Sequence, residues 1–177
     1  RGADYLAIEL SQYKEQLGEL QELLKELQGK VNDTEELIEK LPNVLKKAEE
    51  IQNTVQVILN FLEKQELQDP EYEKWLEKLR NTEQGIEKCI SLLEQLEQQP
   101  QMVQQTLQKG YAAVEKVLLQ EEKVLQCAKE IMEWRMEHAS AEEEKQLLQE
   151  RIQRNQKQQQ EVQQKRAELA EKENILQ

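Results

Sequence analysis

Apolar residues recur at alternating gaps of four and three from Leu6 through Leu10, Tyr13, Leu17, Leu20, Leu24, Leu27, Val31, Thr34 and Ile38 to Leu41. An α-helix turns every 3.6 residues, so a mean spacing of about 3.5 holds one stripe against a partner helix for roughly five heptads. A stripe that narrow cannot close a core alone and must be covered by other helices. A second stripe runs Tyr72, Trp75, Leu79, Thr82, Ile86, Cys89, Leu93, Leu96. Traced backwards it continues in phase through Leu62, Ile58, Val55, Ile51 and Ala48 to Val44, which reads as one long rod over 43–98, about 80 Å at 1.5 Å per residue, kinked at Pro70.

Residues 101–137 carry a wider stripe: Val103, Leu107, Gly110 with Tyr111, Val114, Val117 with Leu118, Val124 with Leu125, Ala128, and Ile131 with Met132. Two apolar positions per turn predict a helix that touches two neighbours, as in a three-helix bundle. The stripe over 140–177 is weaker. Asn155, Gln159, Arg166 and Glu173 interrupt Leu148, Ile152, Val162, Leu169 and Leu176, so this helix is expected to fray, to be partly exposed to solvent, or to need a further neighbour.

Boundaries follow from turn chemistry. Pro42 disfavours helix at the preceding residue and predicts a helix end near Lys40. Asp69-Pro70 suits a helix start, and Pro100 follows a polar run suited to a turn. Ser140 with Glu143 is a capping box, placing a loop near 137–140. The expected helical segments are 3–40, 43–68, 71–98, 101–137 and 140–177.

Composition supports helices and narrows the partners. Charged residues make up 34% and aromatics 4%, with five Gly and three Pro in 177 residues, as in coiled coils. The net charge is −12, whereas nucleic acid and anionic membranes demand clustered Lys and Arg. No apolar run is long enough to insert into a membrane. The chain begins Arg1-Gly2 without Met, so it reads as an excised segment.

No catalytic constellation emerges, and no cofactor or metal is expected. The single histidine, His138, lies beside the loop without a second ligand, and the glycines are too scattered for a phosphate loop. Cys89 and Cys127 fall too far apart along an antiparallel hairpin to form a disulfide, so they read as buried thiols of a reducing compartment. The core stripe is assigned to Leu10, Leu17, Leu24, Tyr72, Trp75, Leu79, Ile86, Leu93, Val114 and Ile131. Trp134, flanked by Met132 and Met136, is the candidate docking anchor, with Arg166 and Glu173 of the polar-seamed helix as further partner-binding candidates.

Segments 71–98, 101–137 and 140–177, with Trp75-Leu76 in the first and His138-Ala139-Ser140-Ala141-Glu142-Glu143 closing the second, resemble a spectrin repeat of the divergent nesprin or plakin kind. The resemblance implies an all-α fold of elongated antiparallel three-helix bundles with long continuous helices. Residues 1–68 would be a partial repeat and 69–177 a full one. It implies a structural rod in a cytoskeletal linker protein, actin-associated or at the nuclear envelope, that transmits force and docks cytoplasmic proteins through helical faces. A monomer is expected. The rival is a homodimeric coiled-coil tether in a centrosomal, kinetochore or trafficking assembly, motivated by the narrow stripe over 6–41.

Overall fold

The computed structural model describes residues 2–28, 35–64, 69–80, 82–100 and 102–176; of these, the side chains of 2–3, 35–38, 69–73 and 80 lie outside the description. Six α-helices follow in order: α1 (Gly2–Gln28), α2 (Glu35–Lys64), α3 (Asp69–Arg80), α4 (Glu83–Glu97), α5 (Gln104–His138) and α6 (Glu142–Leu176). The all-helical bundle expected from the periodicity is present. No described helix is long and apolar enough to cross a membrane.

Cross-helix pairs fix the directions. Gln52 donates to the Lys14 carbonyl (3.3 Å) and the Lys14 ammonium reaches Gln56, so α2 returns along α1. The Phe61 and Trp75 rings meet at 4.5 Å, and further along Gly85 lies against Lys47, so α3 and α4 return along α2. Tyr111 donates to Glu97 (2.9 Å) and Thr82 to Glu121 (3.2 Å), which sets α5 antiparallel to α4. Asn155 donates to the Leu125 carbonyl (3.0 Å) as α6 turns back on α5.

α6 therefore runs parallel to α3 and α4. Arg154–Glu77, Lys165–Glu87 and Lys172–Glu94 bridge them at a near-constant sequence offset. α5 is central, packed against α1, α4 and α6, while α2 closes the outside against α1, α3 and α4. Gly2 and Leu176 consequently lie at opposite ends of a bundle about 50 Å long, the length of the 35-residue α5.

One apolar core threads the molecule from Leu6 in α1 to Leu169 in α6, drawing on residues from both 1–68 and 69–177. Leu10, Leu17, Leu24, Leu79, Ile86, Leu93 and Val114 are buried in it, and Trp75 and Ile131 pack partly buried at its edge. The expected core side chain of Tyr72, with Val31, Thr34 and Ile38 of the first stripe, lies outside the described residues. Leu93 needs Gly110 opposite it: a Cβ there would stand 2.6 Å from the Leu93 Cδ2.

Three expected boundaries are corrected. The rod over 43–98 is a hairpin, because α2 and α3 fold back on each other through Phe61 and Trp75. Phase persists across the reversal because both arms face the same core. The single helix expected over 3–40 is instead α1, ending at Gln28, and the start of α2. That second helix begins at Glu35, returns along α1 and runs through Pro42 without stopping near Lys40. The missing backbone bond costs about 3 kcal/mol, and burial of Leu41, Val44 and Ala48 on either side, at about 1.5–3 kcal/mol for each large side chain, offsets it. Finally, 71–98 is two helices. Thr82 closes a tight turn onto the Leu79 carbonyl (3.1 Å) and starts α4 by accepting from Ile86 (3.1 Å).

The reversals near Pro100 and Ser140 occur where expected. α6 begins one residue later than the capping box implies, with Ala141 accepting the first helical bond from Lys145 (3.2 Å) and Glu142, Glu143 and Glu144 facing the positive end of the helix dipole.

Candidate docking site

The end of the α5–α6 hairpin carries the expected anchor. Trp134 is 59% exposed, and its ring stacks on His138 at 4.1 Å while the His138 Nδ1 lies 2.8 Å from the Trp134 carbonyl oxygen. A one-turn spacing on a helix brings the two rings together. At the same end, but on the opposite face of α5, Met132, Leu148 and Ile152 form a small core of their own, with Met136 packed against it. Leu147, one residue before Leu148, is exposed at the same end. The tip of the two-helix hairpin thus presents Trp134 and Leu147 as an apolar knob open to solvent.

Arg166 and Glu173 are not brought together with Trp134. They lie several turns along α6, on the side that meets α5. Arg166 pairs with Glu122, which also accepts from Gln163 (2.6 Å). Glu173 faces Glu115; burial, then the hydrogen bond and charge of that second carboxylate, raise Glu173 to about 7. Asn155 is wholly buried and bonds Leu125, and Gln159 donates to Asn155 (2.6 Å). The polar stripe of α6 is thus an internal seam. α6 is continuous to Leu176 and finds its neighbour in α5, which supplies the hydrogen-bonding partners, while its outer face is exposed to solvent, as one of the expectations for this helix had it.

A second polar feature had no counterpart in the sequence reading. Glu121 is 5% exposed between α1, α4 and α5, beside Thr82 (1%) and Tyr13 (2%). Thr82 donates to one carboxyl oxygen; the other oxygen and the Tyr13 hydroxyl are buried without a partner. A small void lies between Tyr13 and Glu121, walled by Leu10, Leu76, Leu79 and Val124. Burial pushes the Glu121 carboxyl up to about 8, the Thr82 bond works against that shift, and the Glu83 charge adds to it. Tyr13 is raised well above its usual range by burial and then by Glu121. The signal was a gap: the α5 stripe passes from Leu118 to Val124, and position 121 fills the missing turn.

Both cysteines are free thiols; Cys89 is buried as expected, whereas Cys127 is only partly buried at the edge of the core. Burial lifts Cys89 to about 12, and burial with the charges of Glu9 and Glu130 lifts Cys127 to about 11, so neither is a ready nucleophile at neutral pH. Among the described residues no group of three or more His, Cys, Asp or Glu side chains could hold a metal. Comparison of the chain with protein-family models, curated proteins and solved structures finds no match.

Proposed function

We propose that the chain is a structural rod and protein-docking segment of a cytoskeletal linker protein, related to divergent spectrin repeats. The observation that carries this reading is the arrangement of α3–α4, α5 and α6: up, down and up around a shared core, with Trp134 left exposed at one end. Aromatic side chains are enriched among the anchors of protein interfaces. In this reading the long helices set a fixed spacing, the knob and neighbouring helical faces dock cytoplasmic partners, and the segment works at the cytoskeleton or the outer nuclear envelope.

Affinity capture with the wild-type chain, repeated with Trp134→Ala, tests the docking role. Enrichment of cytoskeletal proteins that the variant loses supports it, and a wild-type capture devoid of them overturns it. The homodimeric tether is the second reading. Its motive, the narrow α1 stripe, is weakened because α2 and α5 of the same chain cover α1. Light scattering separates the two: a particle of 21.0 kDa supports the rod, and twice that mass the tether.

A further inference from the structure

A carboxyl group buried beside a tyrosine, both lining one small void, and with no cation in contact among the described residues, is tolerable while it is neutral and costly once ionised. Three elements contribute to the Glu121 cluster, and each is fixed by its own packing. Tyr13 hangs from the apolar seam of α1, Thr82 sits at the turn between α3 and α4, and Glu121 projects from the middle of α5. We propose that Tyr13, Thr82 and Glu121 form a proton-held latch fastening the α1–α2 hairpin to the rest of the bundle, closed while the Glu121 carboxyl is neutral and loosened when it ionises.

The charges around the cluster favour this behaviour. From α1 the facing titratable group is Tyr13, and Glu9, one turn earlier, is engaged by Gln120. From α4 it is Glu83, which repels an ionised Glu121. Lys78 of α3 and the paired Lys47 and Glu50 of α2 line the neighbouring groove that Leu79 and Thr82 also wall. On α5 itself Glu122 is turned to α6 and held by Arg166. No cation among these contacts Glu121.

The sign follows from proton linkage. The closed latch holds its proton up to about pH 8, and an opened, solvated glutamate gives it up near its usual value of 4.5. The closed form therefore binds the extra proton between those values. Its advantage is complete below the lower one, declines as pH rises, and levels off above about 8. Opening is local, because the leucines of α1 still resist separation; the proton sets how often the seam parts.

Hydrogen exchange of α1 amides in the full chain tests the latch, comparing wild type with Glu121→Gln at pH 6 and pH 9 so that intrinsic exchange chemistry cancels. The wild-type to variant exchange ratio should rise by roughly 10- to 100-fold between the two pH values, given the size of the linkage. The ratio for α6 amides, which report the separate Glu115–Glu173 pair, should stay constant. A ratio for α1 that does not change with pH overturns the latch. Glu121→Met, which cannot titrate or accept from Thr82, should match Glu121→Gln in its flat response. If both variants fold but keep the wild-type pH response, the titrating group is elsewhere and the proposal fails; if both lose α1 protection already at pH 6, the carboxyl is a fixed structural acceptor and the proposal also fails.

Discussion

α5 meets α1 on one side and α6 on the other, and two adjacent glutamates mark how differently the two seams are made. Toward α1 the contacts are a ladder of leucines, from Leu6 to Leu27, with Glu121 buried among them and no cation among the described residues to meet it. Toward α6 the apolar contacts are sparse, and Asn155, Gln158, Gln159 and Arg166 fill the intervals, with Glu122 paired to Arg166. Both helices lie along α5, so close packing alone does not distinguish them. Apolar area gives the α1 seam its strength but little to fix its register, since one leucine layer resembles the next. The α6 seam buries fewer apolar side chains, and its polar pairs, Asn155 with Leu125 and Arg166 with Glu122, meet at one alignment only.

The largest expected effect breaks the first seam. Leu17→Ala empties a site that is 1% exposed and should lower stability by about 2–5 kcal/mol; a urea denaturation midpoint close to wild type would show that the ladder is not the source of strength. Asn155→Ala comes next. It removes the bond to Leu125 and strips Gln159 of its acceptor, at about 1–2 kcal/mol, and should broaden α6 amide resonances if the polar seam sets register. Sharp, unshifted α6 signals would count against that role. Arg166→Ala should cost about 0.5–1 kcal/mol, with a loss that shrinks in high salt because the pair is partly solvated; a salt-independent loss would mean the arginine acts by packing. Trp134→Ala should shift the thermal midpoint least, by less than about 0.5 kcal/mol in stability, because the ring is mostly exposed. A large shift would make the knob a structural part of the hairpin instead of a docking surface.

Much of the α5 side of this comparison was legible from the sequence. The doubled apolar positions required more than one neighbour, and the reversals near Pro100 and Ser140 followed from turn residues. The α1–α2 boundary was harder. Gly29 directly after α1 and Asn32-Asp33-Thr34 directly before α2 are ordinary stop and start residues, yet the stripe passes through them in frame to Leu41. The α2–α3 reversal was hidden in the same way. An in-phase stripe records that successive helices face a common core, and says nothing about whether the chain turned between them. Glu121 was missed because a glutamate in a charged run normally reads as solvated; only the stripe's arithmetic marks it as inward. The inward bonding of Arg166 and Glu173 had no local signal, since it depends on which residues of α5 stand opposite.

The placement of Gly2 and Leu176 at opposite ends of the bundle has a mechanical consequence. Tension applied at those residues is directed along the helix axes, so α1 and α6 are drawn past α5 in shear rather than peeled away from it. In peeling, contacts give way one after another; in shear, the leucine layers and the three cationic bridges from α6 to α3 and α4 must yield together. A seam aligned by discrete polar pairs resists such sliding in steps of about one helical turn, 5.4 Å. The bundle would then extend by ratchet-like slips, with α6 holding its alignment longest for the area it buries.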